Sequence, residues 1–310
     1  MSLVLYCKNK PVFNIEKQEI LNKDLLPGYI RTDPSIEGYN KWLEKKYSTE
    51  TNSLARILKF KSLGHVKRTL YDEKTHILSF SDCYWVKDSE DKICFEEISP
   101  YYNNFFTGEK EYNGESIPTL YTPGAKPKEW RENGNLYKAD SNIELEAYAV
   151  CVAAGVPCNK IVAAGEGIEI SNLTNENIML EQLDMSGAVN IDKFTEEDVI
   201  RIFGFKAVQM YTIDAILGNC DRHEGNIAFL RNANTGEYLG LSPLYDFDYT
   251  RSDKGNSIHK TFFDYLKYVN KEDIKEVYRI CNDVCKSERV VYIYKERAQE
   301  LQRYLWFGAL

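Results

Sequence analysis

The amino-acid sequence predicts a two-lobed α+β fold, with a mixed N-terminal lobe to about residue 180 and a mostly helical C-terminal lobe beyond it. Three observations carry that expectation. Short apolar runs between turn-rich stretches fill the chain to about residue 120. A pattern of helical period runs from Thr195 to Leu217, and the tail from Lys271 alternates apolar and charged residues at helical spacing. With 310 residues, 43% of them apolar, the chain can bury a sizeable core.

In chain order, LLPGYI, GHVKRTLYD, ILSFSDCYWV and FTGEKEYNG read as a small mixed α/β module over residues 1–120, without a repeat. Residues 121–184 form the next part. There TPGAKPKEW is a polar Gly/Pro/Lys loop before the strand NLYK, and IELEAYAVCVAAGV has the period of a helix closed by Gly155 and Pro157. A hairpin-like stretch around AAGEGIEI precedes NIMLEQLDM, an apolar strand that runs into Glu181, Gln182 and Asp184. The third part spans residues 185–310. TEED is an N-terminal cap signature, and Val199, Ile202, Phe203, Lys206, Met210, Ile213 and Leu217 fall near one face, so one long buried helix is expected to end at Gly218. The polar loop GNCDRHEGN, the strand IAFL, the turn NANTGEY and a second strand, YLGLSPLYDFD, come next, and the tail reads as two helices.

A formal net charge of −8 and a pI near 5.3 argue against broad coating of nucleic acid or of an anionic membrane, so neither partner is expected. The eight cysteines include no CxxC pair and read as reduced; Cys281 and Cys285 look like neighbours on one helix face. No segment reaches the roughly 18 apolar residues of a membrane span, and MSLVLYCKNK lacks a basic stretch followed by a long apolar run. The expected address is the cytoplasm, although a secreted effector would read the same way. Oligomeric state is not legible.

The segment Asn219-Cys220-Asp221-Arg222-His223-Glu224-Gly225-Asn226, followed about twenty residues later by Tyr245-Asp246-Phe247-Asp248, carries the chemistry. Phosphoryl transfer from ATP needs a carboxylate near the attacking hydroxyl, an amide and a second carboxylate for Mg2+, and a lysine on the α/β phosphates. Asp221 can orient the hydroxyl and accept its proton, Asn226 and Asp246 can hold the metal, and Lys138 can supply the cation. The competing reading is a capped turn in which Asp221 and Asn226 only bond backbone amides. His223 reads as a residue that holds the loop backbone, and Asp214 as a structural partner for the loop with Arg222 as its candidate mate. Asp248 either assists Asp246 on metal or caps the next turn.

NCDRHEGNIAFL followed by LSPLYD resembles the catalytic and metal-binding segments of HipA-like serine/threonine protein kinases. Upstream, Gly124-Ala125-Lys126-Pro127-Lys128 resembles that family's phosphate-covering loop, and Lys138 falls where the family keeps the lysine that contacts ATP phosphates. Glu144 fits the helix glutamate that pairs with this lysine, with Glu146 as its rival. The segment Met179 to Asp184 is similar to the family's hinge, where backbone groups at Glu181 and Leu183 receive the adenine edge. SDCYWV and EEISPYYNNFF also resemble the N-terminal region of a bacterial HipA-related subfamily. The loop departs from a GxGxxG or Walker A pattern, and Pro127 removes one amide. Tyr121 and Thr122 stand where the family can carry an autophosphorylated serine.

The resemblance implies a protein-kinase-like (HipA-like) fold with nucleotide in the cleft between its lobes. It implies ATP and Mg2+ as cofactors, His223 among the nucleotide-site residues, and transfer of the γ-phosphate to Ser/Thr of a protein substrate, with autophosphorylation as an option. A toxin or effector role is compatible with it. Two alternatives remain: a small-molecule kinase acting on antibiotics or metabolites with the same Asp, Asn, Asp order, and a nucleotide-binding pseudokinase or toxin-like interaction protein.

Overall fold

The computed structural model describes residues 2–46, 76–102, 128–131, 133–139, 141–188, 195–250 and 260–308. In chain order these form β1 (Leu3–Cys7), β2 (Lys10–Asn14), β3 (Glu19–Ile20), α1 (Gly28–Thr32), α2 (Ile36–Lys46), β4 (Tyr84–Asp88) and α3 (Phe95–Ile98). Next come β5 (Lys128–Trp130), β6 (Leu136–Ala139), α4 (Ile143–Ala154), β7 (Ile161–Ala164), β8 (Gly167–Ile170) and β9 (Ile178–Gln182). Last are α5 (Glu196–Phe203), α6 (Phe205–Leu217), β10 (Ala228–Asn232), β11 (Tyr238–Leu241), α7 (Lys271–Lys286) and α8 (Tyr292–Gly308). The mixed α+β class expected from the sequence is what the chain adopts.

Two compact units result. One comprises Met1–Ala139, Ser171–Val189 and Phe229–Leu239, the other Asp140–Ile170, Asn190–Ala228 and Gly240–Leu310.

The first unit is built on an antiparallel sheet in the order β3-β2-β1-β4, whose register slips between Leu5 and Tyr6. Its core joins Leu5, Val12 and Phe13 of the sheet to Trp42 and Leu43 of α2, Trp85 of β4 and Phe95 of α3, with Met179 and Ala233 packed among them. Large aromatics bury the most apolar area per residue, and here they replace a long helical core. A second sheet, in the order β11-β10-β9, brings β9 beside the core, where the Leu180 amide donates to the Ser81 carbonyl at 2.7 Å. Gly28 is required by close approach: a Cβ there would lie 2.0 Å from the Ser186 carbonyl oxygen.

In the second unit, α6, α7, α8 and α4 pack together around Val150, Ile213, Ile216, Ile280, Val284 and Leu301, all buried. Helix α4 ends on Gly155 at φ 64°, the left-handed stop the sequence indicated. The hairpin β7–β8 turns at Gly165, φ 60°, with Ala164 opposite Gly167. The long helix expected from Thr195 is instead two: Gly204 at φ 54° interrupts it and separates α5 from α6. Thr195 still caps α5, closing a capping box with Asp198. The face drawn through both helices fails at Lys206, which is exposed, while every residue from Ala207 to Leu217 is buried. The expected strand YLGLSPLYDFD is also shorter than expected, since β11 stops at Leu241 and a single parallel bridge, Cys158 to Leu244, continues it. Pro243 lacks an amide and Asp246 adopts a left-handed φ of 58°, so neither can extend a ladder.

Candidate active site

Helix α6 delivers the chain into the polar loop that the sequence singled out. Gly218 at φ 65° stops the helix, and the buried Arg297 of α8 donates to the terminal Leu217 carbonyl at 2.8 Å, so the loop starts from a fixed point. Asp214 of α6 then organises the loop from below. Its carboxylate accepts the Asn219 side-chain amide at 2.8 Å and a two-point contact from Arg222, Nε at 2.8 Å and Nη2 at 3.0 Å. The pairing expected from sequence between Asp214 and Arg222 is therefore present. Both side chains are nearly inaccessible, at 6% and 5% exposure, which makes the paired arrangement obligatory: breaking it would strand a charge.

Arg222 also reaches across the loop. Its Nη1 donates to the Asn226 carbonyl at 2.8 Å and to the Tyr245 carbonyl at 3.0 Å, and its guanidinium lies 5.4 Å from the Phe247 ring centroid. Burial opposes its charge, but Asp214 chiefly, then Tyr245 and Asp246, more than offset that, and its pKa rises further.

Asn226 is buried in a short 3-10 turn, Glu224–Asn226, and its side-chain amide nitrogen donates to the Asp221 carbonyl at 2.9 Å. That bond fixes the amide plane, and with it the direction of the carbonyl oxygen, the atom a cation would use. His223 Nδ1 accepts the Gly225 amide at 3.0 Å, so the ring holds the turn, the role read for it from sequence. Partial burial raises the Asp221 pKa, the carboxylates of Asp246 and Asp248 add to the rise, and His223 and Arg222 oppose it. A poised, partly desolvated carboxylate is suited to orient a hydroxyl and take its proton.

Asp246 occupies a left-handed backbone conformation that short polar side chains tolerate best. The Glu144, Asp246 and Asp248 carboxylates each place an oxygen within 4.8 Å of the other two, and these form a metal-sized acidic group among the described residues. Glu144 is fully buried in the first turn of α4, and its Oε2 accepts the Phe247 amide at 3.4 Å. Ser141 Oγ donates to Asp248 at 3.4 Å. Glu146 faces elsewhere, accepting the Tyr294 hydroxyl of α8 at 2.8 Å. Glu144 is therefore the glutamate that joins the acidic group. Each of these three donors is a hard carboxylate oxygen, and such a set fits magnesium.

The remaining sequence-predicted residues sit in the first unit. Lys138 is buried on β6, where it is the register partner of Lys128 on β5. Gly124, Ala125 and Lys126 lie outside the described residues, as do Tyr121 and Thr122. Leu183 is buried, and its carbonyl accepts the Ser186 hydroxyl at 2.7 Å. Glu181 spends its side chain on structure, taking the Gly28 amide at 2.7 Å and Arg231 at 3.2 Å. Sequence reasoning missed Arg231 and the reach of Arg222 to the two carbonyls.

No protein-family model matches the chain. The serine/threonine-protein kinase CtkA of Helicobacter pylori is 34% identical over 103 residues, which is 28% of this chain. The match spans 30% of that relative's length. A chain of the Shewanella oneidensis MR-1 toxin–antitoxin complex of HipA, HipB and operator DNA superposes over 98% of this chain and 97% of its own length, with a TM-score of 0.58 and 11% identity. The solved structure of the Helicobacter pylori proinflammatory kinase CtkA covers 58% of this chain and 89% of its own, with a TM-score of 0.39 and 17% identity. The chain has a HipA-like fold, and over 103 residues it is similar in sequence to a serine/threonine-protein kinase.

Proposed function

We propose that this chain is an ATP- and magnesium-dependent protein kinase that transfers the γ-phosphate to serine or threonine hydroxyls. What supports this reading is that the Asp221–Asn226 loop is tied to the residue before Asp246: the Asn226 side-chain amide donates to the Asp221 carbonyl, and Arg222 donates to the Asn226 and Tyr245 carbonyls. These residues lie twenty-five positions apart in sequence, from Asp221 to Asp246, and a merely capped turn gives no reason for them to meet.

Bound by Asn226 and Asp246, with Asp248 and Glu144 alongside, magnesium would supply charge neutralisation for the phosphates. Asp221 orients the acceptor hydroxyl and takes its proton as the new O–P bond forms and the bond to the β,γ-bridging oxygen breaks, releasing ADP. A preorganised loop is worth most here, because phosphoryl transfer asks the protein for positioning and electrostatics rather than covalent chemistry.

The test is labelled ATP and Mg2+ with the purified chain and a bacterial lysate, phosphosites being located by mass spectrometry. Labelling of serine or threonine that disappears with Asp221→Asn supports the reading. ADP release driven by a small metabolite, with no protein labelled, would replace it by small-molecule phosphorylation, and ATP binding without turnover on any acceptor would refute catalysis.

A further inference from the structure

The Asp214–Arg222 pair is buried under the loop and takes no part in the proton or phosphoryl transfer. We propose that Arg222 is a positioning residue that sets the spacing between the two halves of the metal site, and this rests on the phosphotransferase reading.

Four contacts make the case. Two N–H groups of the guanidinium are held by Asp214, which grows from the rigid, buried α6, so the fork cannot swing. The remaining nitrogen, Nη1, bonds the carbonyl of Asn226, itself a proposed ligand, and the carbonyl of Tyr245, the residue before Asp246. One planar cation thus grips the backbone at both ligands, which are twenty positions apart from 226 to 246. Tyr245 adds a second tie in the same place, its hydroxyl donating to the Gly225 carbonyl at 3.1 Å. Phe247, fully buried, lies with its ring centroid 5.4 Å from the guanidinium.

The guanidinium touches no reacting atom in this arrangement, so its effect is exerted through Asn226 and Asp246. Lysine cannot replace it, since an ammonium on a flexible stem offers no planar fork to span one carboxylate and two carbonyls. Groups that orient metal ligands typically contribute 10–100-fold to metal affinity or activity.

Arg222→Lys and Asp214→Asn, made in the full chain, are compared with the native protein in three measurements. These are Mn2+ binding by electron paramagnetic resonance in the presence of ADP, ADP affinity in EDTA, and the Mg2+ concentration that half-saturates phosphate transfer. The expected result is a Mn2+ affinity and a Mg2+ half-saturation each weakened roughly tenfold or more, with ADP affinity in EDTA unchanged and a cooperative thermal transition retained. Should Arg222→Lys not fold, Asp214→Asn, which keeps side-chain shape and an acceptor oxygen, reports the same coupling. Native-like cation binding in a folded variant overturns the positioning role while the kinase reading stands. A native chain that binds Mn2+ but transfers no phosphate sinks the kinase reading alone, and one that binds no Mn2+ sinks both.

Discussion

Replacing Arg231 by methionine should bring the first unit to the edge of unfolding. The guanidinium is completely inaccessible, and its donors reach the Gly236 carbonyl at 2.8 Å, the Tyr84 hydroxyl at 2.8 Å, Glu181 at 3.2 Å, and the Asp24 and Leu26 carbonyls at 2.6 and 2.9 Å. Methionine fills most of the volume, so the cost comes from the groups left behind rather than from a cavity. Removing one partner of a buried ion pair costs about 3–5 kcal/mol, because the Glu181 side chain, at 7% exposure, is left without its guanidinium. Each stranded carbonyl adds roughly 1 kcal/mol or more unless water enters, and such losses overlap rather than sum. A working figure is about 4–5 kcal/mol, against a total stability on the order of 5–15 kcal/mol. At a urea slope near 2 kcal/mol/M the midpoint should fall by roughly 2 M. Tryptophan fluorescence reads this unit well, since Trp42, Trp85 and Trp130 belong to it, and Trp306→Phe silences the fourth. Adding Glu181→Met to Arg231→Met should restore part of the loss, because the orphaned charge is gone. A single-variant cost below about 1 kcal/mol, or a double variant that is simply additive, would refute the reasoning.

The site yields further expected outcomes. Because the Asp221 pKa is raised, chiefly by burial, the acid limb of kcat/KM should lie above that of a free aspartate, and Asp248→Asn should move it down; a pH–rate profile checks both, and an unmoved limb would count against the electrostatic account. A raised folded-state pKa contributes stability below the unfolded value of about 4 and loses it as pH rises through the folded value. Asp221→Asn should therefore raise Tm more at pH 7 than at pH 4, read by calorimetry, while abolishing turnover. Glu144→Gln should weaken Mn2+ binding measured by electron paramagnetic resonance, whereas Glu146→Gln should cost only about 1 kcal/mol of stability through the lost Tyr294 bond and leave cation affinity intact.

Local signals in the sequence survived into the structure. Thr195 with Asp198, and Gly155 after an apolar run, announce helix ends through bonds made within a few residues, so no tertiary context is needed to read them. The DRHEGN loop and Asp246 were legible for a related reason: polar residues concentrated between apolar elements must lie at the elements' ends. The break at Gly204 was not, because apolar spacing continues across it and periodicity alone sees one helix. Glu144 and Glu146 could not be ranked from sequence. Two residues apart on a helix they face nearly opposite ways, and only the packing of α8 reveals which turns to Tyr294 and which to Asp246. Arg231 was invisible because most of its partners are remote, with Glu181 fifty positions away and Leu26 205 positions away.

The most direct measurement is isothermal titration of the native chain and of Asp246→Asn with ATP and Mg2+, run beside a phosphate-transfer assay on the same samples. The account predicts Mg2+-dependent labelling by the native chain, lost by a factor of roughly a thousand in the variant, which still binds nucleotide within about a few-fold. Undiminished transfer by Asp246→Asn, or transfer by the native chain that ignores chelation of divalent cations, would contradict it.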